Sequence, residues 1–152
     1  MRLSRSLLWA LQRAYFERRG LGAWAPGEIP HQVTSSPFAA AALARVAAGF
    51  IRDWSPVLDP SQPVYVVELG AGSGRFAHRF VRALEGLAGP RVVYVMSDFA
   101  ERTLREWEAH PALGPLLCNG RLEIARLDCP DVGCVRLRRS GVVLEAGSLT
   151  NP

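Results

Sequence analysis

The chain has 152 residues, about half of them apolar, and 18 basic against 14 acidic side chains give it a net charge of +4. That length suits one ordinary domain with a core of its own, and the composition excludes a disordered or low-complexity chain. Every basic residue is arginine, and only Arg136, Arg138 and Arg139 cluster, so the charge gives no ground for a nucleic-acid surface.

Residues 3–18 place Leu3, Leu7, Leu8, Leu11, Ala14 and Tyr15 at helical spacing, with arginines on the other side. Arg2 and Arg5 precede a short apolar run, but no small-residue cleavage site follows, so an amphipathic helix is expected rather than a secretory signal. Gly20, Gly22 and Pro26 end that helix, and Trp24, Ile29 and Pro30-His31 give the next loop apolar anchors. Ser36-Pro37 is a helix start, an N-cap oxygen followed by proline at the first helical position. Phe38, Leu43, Val46, Ala47, Phe50 and Ile51 form the stripe expected to be buried along a helix to about Trp54. Pro56, Pro60 and Pro63 then lead to Val64–Val67, a continuous apolar run of the kind found in parallel strands buried on both faces.

That strand ends in Glu68-Leu69 and opens into Gly70-Ala71-Gly72-Ser73-Gly74. Alternating glycines let the backbone take positive φ and approach a ligand closely. From Arg75 to about Leu87 the pattern is helical, with Phe76, Phe80, Val81, Leu84 and Leu87 near one face. A dinucleotide fingerprint wants a small residue where Arg75 stands. A phosphate-cradling P-loop needs a lysine, and the chain has none. What remains is E-x-G-x-G-x-G over 68–74.

Gly89-Pro90 stops the helix, and Arg91–Met96 reads as a second Val-rich strand with Asp98 just past its end. Asp98 lies 24 residues after Gly74. There it can accept both hydroxyls of a ribose or, alternatively, cap the following helix. Glu101–Ala109 forms that helix, with Leu104 and Trp107 inward, and His110-Pro111 ends it. After Asn119-Gly120 a third strand, Arg121–Leu127, points Leu122, Ile124 and Leu127 inward and ends at Asp128. Val135–Leu144, broken at Ser140-Gly141, reads as a β-hairpin whose outward arginines discourage edge pairing. Cys118, Cys129 and Cys134 are odd in number and lack C-x-x-C spacing, so neither a metal site nor a disulfide framework is expected. No apolar run has the length to span a bilayer, and a cytoplasmic, reducing compartment is the default.

The E-x-G-x-G-x-G form directly after a Val-rich strand resembles the first motif of class I S-adenosylmethionine-dependent methyltransferases. Gly27 to Pro37, Met96 to Ala100, Trp107 to Leu113 and Gly147 to Pro152 are similar to their MidA-like branch. The resemblance implies an α/β, Rossmann-like methyltransferase fold, in its N-terminal half only. A helical lead-in, 1–58, would pack on a partial cofactor domain, 59–152, with strands in order 3-2-1 and then the hairpin. It implies S-adenosylmethionine as cofactor, with Glu68 near the methionine end and Gly70, Ala71, Gly72, Ser73 and Gly74 along the pocket floor. Asp98 and Phe99 would make further cofactor contacts, and Asp128 would accept the adenine amino group unless it is simply a solvated turn aspartate. Ile29 to Thr34 would have a lid or substrate-side role, or be a structural loop.

The methyl acceptor and any catalytic base are not named by these features; His31 and His78 are candidates only as histidines. The family's fourth strand is expected just after Asn151-Pro152. The central strand would then keep an open edge, to be covered by self-association or by a partner chain. Two rival readings stand beside the enzyme: a non-catalytic assembly protein or gene fragment, and a nicotinamide-dependent oxidoreductase, disfavoured by Arg75.

Overall fold

The structure, a computed structural model, describes residues 6–25, 29–87, 92–128 and 134–145. The Gly89-Pro90 stop, the Cys129-Pro130-Asp131 turn and the stretch from Gly147 onward lie outside them.

Helix α1 (Leu7–Arg19) starts where the Ser6 hydroxyl accepts the Trp9 N–H at 3.3 Å. A 3₁₀ turn (Gly20–Trp24) follows. Helix α2 (Pro37–Trp54) has the expected start: Ser36 Oγ accepts the Ala39 N–H at 3.2 Å and Pro37 opens the first turn. The remaining elements are β1 (Val64–Leu69), α3 (Arg75–Glu85), β2 (Val92–Asp98), α4 (Glu101–Glu108), α5 (Gly114–Cys118), β3 (Leu122–Arg126), β4 (Cys134–Arg136) and β5 (Val143–Glu145). The five-residue α5 has no counterpart among the predicted elements.

Strands β1, β2 and β3 form a parallel sheet in that spatial order, Val64 opposite Val92 and Tyr94 opposite Leu122. Parallel neighbours need crossover connections; α3 makes the first, and α4 with α5 makes the second. On one face of the sheet Tyr94, Met96, Leu122 and Ile124 pack against Phe80, Val81 and Leu84 of α3, Leu104 and Trp107 of α4 and Leu116 and Leu117 of α5. On the other, Val95, Ala125 and Leu127 are covered by Val135 and Leu137 of the β4–β5 hairpin. A bridge between Ala125 and Leu137, and a bond from the Arg138 N–H to the Ile124 carbonyl at 2.8 Å, seat the hairpin on β3. β3 is therefore buried on both faces over Leu122–Ala125, rather than alternating.

Both N-terminal helices turn most of their predicted apolar stripes outward, although Ala47 of the α2 stripe packs on the core. Helix α2 buries Ala40 and Ala44, with Ala47 and Ala48 half-buried, while Phe38 (79% exposed), Val46 (68%), Phe50 (58%) and Leu43 face outward. The helix is apolar nearly all round, so its periodicity holds two candidate stripes. The alanine stripe is the one that lets the α2 and α3 backbones approach closely. Helix α1 buries no residue completely, and Leu7, Leu8 and Leu11 face outward. Its inward side carries Arg13, Phe16 and Glu17, which find partners at the carboxyl ends of β2 and β3. Leu87, predicted inward on α3, is exposed past that helix's end. Among the described residues no helix is long and apolar enough to cross a membrane.

Candidate functional site

Gly70, Gly72 and Gly74 have φ values of 67°, 52° and 70°, in the left-handed region that side chains disfavour. The turn they form is held from several sides. The Ala71 N–H donates to the Ser97 carbonyl at 2.9 Å, and the Ser97 hydroxyl donates to the Glu68 carbonyl at 2.6 Å. The Trp107 indole N–H donates to the Gly72 carbonyl at 3.1 Å, and the Gly72 N–H donates to the Asp98 carboxylate. Bare backbone serves different ends along the turn. A Cβ at Gly72 would collide with the Trp24 indole, and one at Gly74 would press on the Met96 methyl and Trp107, whereas Gly70 faces open space.

That open space belongs to a cavity of about 330 Å³ at the carboxyl end of β1, in the size range of small-molecule sites. Glu68, Gly70, Ala71, Ser73 and Phe76 form its floor, and Trp24, His31, Thr34, Ser35 and Leu43 its roof. The roof is tied down by Arg79, which donates to the Ser35 carbonyl, and by Arg75, whose guanidinium lies 3.4 Å from His31 Nε2. His31 Nδ1 is 3.0 Å from the Ile29 carbonyl, which can only accept, so Nδ1 holds the proton of the neutral ring and Nε2 faces Arg75. Glu68 takes a hydrogen bond from the Tyr94 hydroxyl, and its Oε2 is buried with no partner among the described residues. Burial pushes the Glu68 carboxyl up to about 7, against the opposing effect of the Tyr94 bond. The Tyr94 hydroxyl is itself pushed up by burial and by the neighbouring carboxylate.

On the far side of the glycine turn the predicted residues are already engaged. Asp98 is 9% exposed; its Oδ1 accepts the Ala100 N–H at 3.0 Å, and the carboxylate also takes the Phe99 and Gly72 N–H groups. Burial raises its pKa, these three donors oppose the rise, and the nearby Glu17 charge adds to it. Of the two roles open to Asp98, the bonds in place are those of the turn leading into α4. Asp128 meets Arg13 of α1 through both oxygens, each at 2.8 Å. The same guanidinium lies 4.4 Å from the centre of the Phe99 ring, which stands nearly perpendicular to the Phe16 ring with their centres 6.2 Å apart.

The predicted residues therefore divide into groups. Glu68, Gly70, Ala71 and Ser73 line the cavity; Gly72 and Gly74 sit under packed rings; Asp98 ties the turn to β2; Phe99 and Asp128 meet across Arg13. The glycine motif and the acids beside it do not point to Arg13, Trp24, Tyr94 or Trp107 as site residues. Tyr94 leaves a trace in the chain, because strand alternation and the Val66–Tyr94 pairing put it on the same sheet face as Glu68. Arg75 stands exposed at the start of α3, and the close approach of helix to sheet falls at Gly74 and Ala77. Its bulk therefore gives no reason to disfavour a dinucleotide. His78 lines a separate concavity with Arg75, Arg79 and His110. Its pKa is lowered by burial and by the charges of Arg82, His110 and Arg79, against Glu85.

A larger cavity, about 770 Å³, lies at the amino end of β1 between Ile51, Leu58, Val64, Leu87 and Val92. Ligands of open parallel sheets gather at the carboxyl ends, so size alone does not make it the main site. Among the described residues no three His, Cys, Asp or Glu side chains come together to hold a metal ion. Comparison of the chain with family models, with curated proteins and with solved structures gives no match.

Proposed function

We propose that the chain binds S-adenosylmethionine at the carboxyl ends of β1 to β3 and works as the N-terminal half of a Rossmann-like methyltransferase, transferring the methyl group to an acceptor of unknown class. The observation that carries this reading is Glu68: a half-buried residue whose Oε2 is buried and without a partner among the described residues, at the wall of a cavity floored by the glycine turn. A cationic ligand would supply what that site lacks. The Glu68 carboxylate attracts an ammonium or sulfonium, and the Trp24 and Phe76 rings in the lining suit the same charge. Gly70, bare and facing the cavity, lets a ligand lie against main chain.

The residues present fit the amino-acid end of this cofactor. The base end fits less well, since Asp98 and Asp128 already hold donors from the chain. When bound, the cofactor supplies a methyl group activated by its positive sulfur. The chain's part is to hold that group in line with the acceptor, a contribution of positioning. No general base is assigned, because the His31 lone pair faces Arg75 rather than open space. On this reading the chain is cytoplasmic, and the unpaired Cys118 accords with a reducing compartment.

Calorimetric titration of the folded chain with S-adenosylmethionine and S-adenosylhomocysteine tests the proposal, with NAD as the control. Heat is expected with the first two, and affinity should rise with pH up to about 7 and then level, because the ligand's ammonium favours ionised Glu68. Heat with NAD alone would replace this reading by the oxidoreductase one. The outward apolar residues of α1 and α2 favour a second reading, a non-catalytic interaction protein. A chain that binds neither ligand yet self-associates would support it.

A further inference from the structure

Helix α1 lies over the ends of β2 and β3 without a single fully buried residue. What holds it there is polar contact and contact between rings. Arg13 grips both oxygens of Asp128 and covers Phe99. Glu17 accepts the Glu101 N–H at 3.2 Å, and the Arg18 carbonyl accepts from Arg102. Phe16 touches Phe99 and Trp24. The Arg13 and Asp128 side chains are 30% and 37% exposed, so water can take over their bonds. Beyond α1 the chain is anchored differently. Gly20, at φ 52°, turns it, the Leu21 N–H bonds Glu106 at 2.5 Å, and Trp24 packs on Gly72. The roof therefore has anchors of its own on α4 and the glycine turn, besides the stacking of Trp24 on Phe16.

A guanidinium is flat, presents paired N–H donors along its edge and stacks by its face. An aminopurine carries the same two features, an amino donor and a flat face. Arg13 uses both at once, edge to Asp128 and face to Phe99. We propose that α1 is a strap over the nucleoside end of the site, with Arg13 occupying the place between Asp128 and Phe99 that the cofactor's base would take. A docked α1 and a bound base then exclude one another, and the apparent affinity for cofactor falls by the fraction of molecules with α1 lifted. This rests on the S-adenosylmethionine reading, and it accounts for the poor fit at the base end alone.

The test uses the full chain, with S-adenosylhomocysteine as probe. Arg13→Ala is expected to bind it about five- to tenfold more tightly than the wild type, the release of one partly exposed ion pair and its stacking. Arg13→Gln, which keeps a flat donor without the charge, should fall between. Amide hydrogen exchange gives an independent readout: residues 8–19 of the wild type should lose protection as the probe binds, and in Arg13→Ala they should be unprotected already. Equal or weaker binding by Arg13→Ala with an unchanged circular dichroism spectrum would overturn the strap and leave the cofactor reading standing. So would wild-type α1 amides that keep or gain protection while the probe binds. Absence of binding by folded wild type and both variants would overturn the cofactor reading, and the strap with it.

Discussion

Glu68 couples the site to pH. Its pKa is about 7 in the folded chain against 4.5 ordinarily, so between those values the folded state holds a proton that the unfolded state has released. Stability should therefore fall as pH rises from about 4.5 to 7 and stay level above, a loss on the order of 2–3 kcal/mol after allowance for partial hydration. Glu68→Gln should remove that slope and leave a chain more stable than wild type at pH 8. Urea unfolding at pH 5 and pH 8 measures both; equal slopes in the two proteins would mean that Glu68 ionises freely. The residue itself was legible in the chain, because an acid two positions before a glycine turn is part of a pattern. Its surroundings were less so. Tyr94 is one aromatic within a valine run, and only the strand register brings its hydroxyl to Glu68. Arg13 had no signal, since which way a surface helix docks is decided by the packing of the whole.

Parallel strands and crossover helices could be read from apolar runs and their spacing; their order, β1-β2-β3, was expected only from the resemblance. Helix faces could not. In α2 the large apolar residues suggested the core side, yet alanines occupy it, because two helices with small residues between them come closer and pack more continuously. Substitution separates the two faces. Ala44→Leu should overpack the α2–α3 contact and cost about 1–3 kcal/mol. Phe50→Ser, on the outward side, should change stability by no more than about 0.5 kcal/mol. Urea midpoints for the pair provide the measurement, and the reverse order would return the core to the large stripe.

Across the molecule the sheet has unequal cover. Helices lie over one face, while the hairpin side covers β2 and β3 on the other and reaches only Tyr65 of β1. Val67 (39% exposed) and Leu69 (55%) are left open on β1, which pairs with β2 alone among the described strands. An apolar strand with free backbone groups along one side invites pairing with another chain. Self-association that rises with concentration is expected in size-exclusion chromatography with light scattering, and Val67→Lys should reduce it. A wild-type chain that stays monomeric at every concentration would show that this edge is protected. The connectivity of the sheet bears on how the chain reaches this state. Its partners, Val64 with Val92 and Tyr94 with Leu122, are equally far apart along the chain in both pairings, with no tight turn to begin either ladder. Each pairing must close a long loop before its first hydrogen bond forms. Refolding should therefore be slow for a chain of this size, with helical signal rising before the β1–β2 amides become protected from exchange.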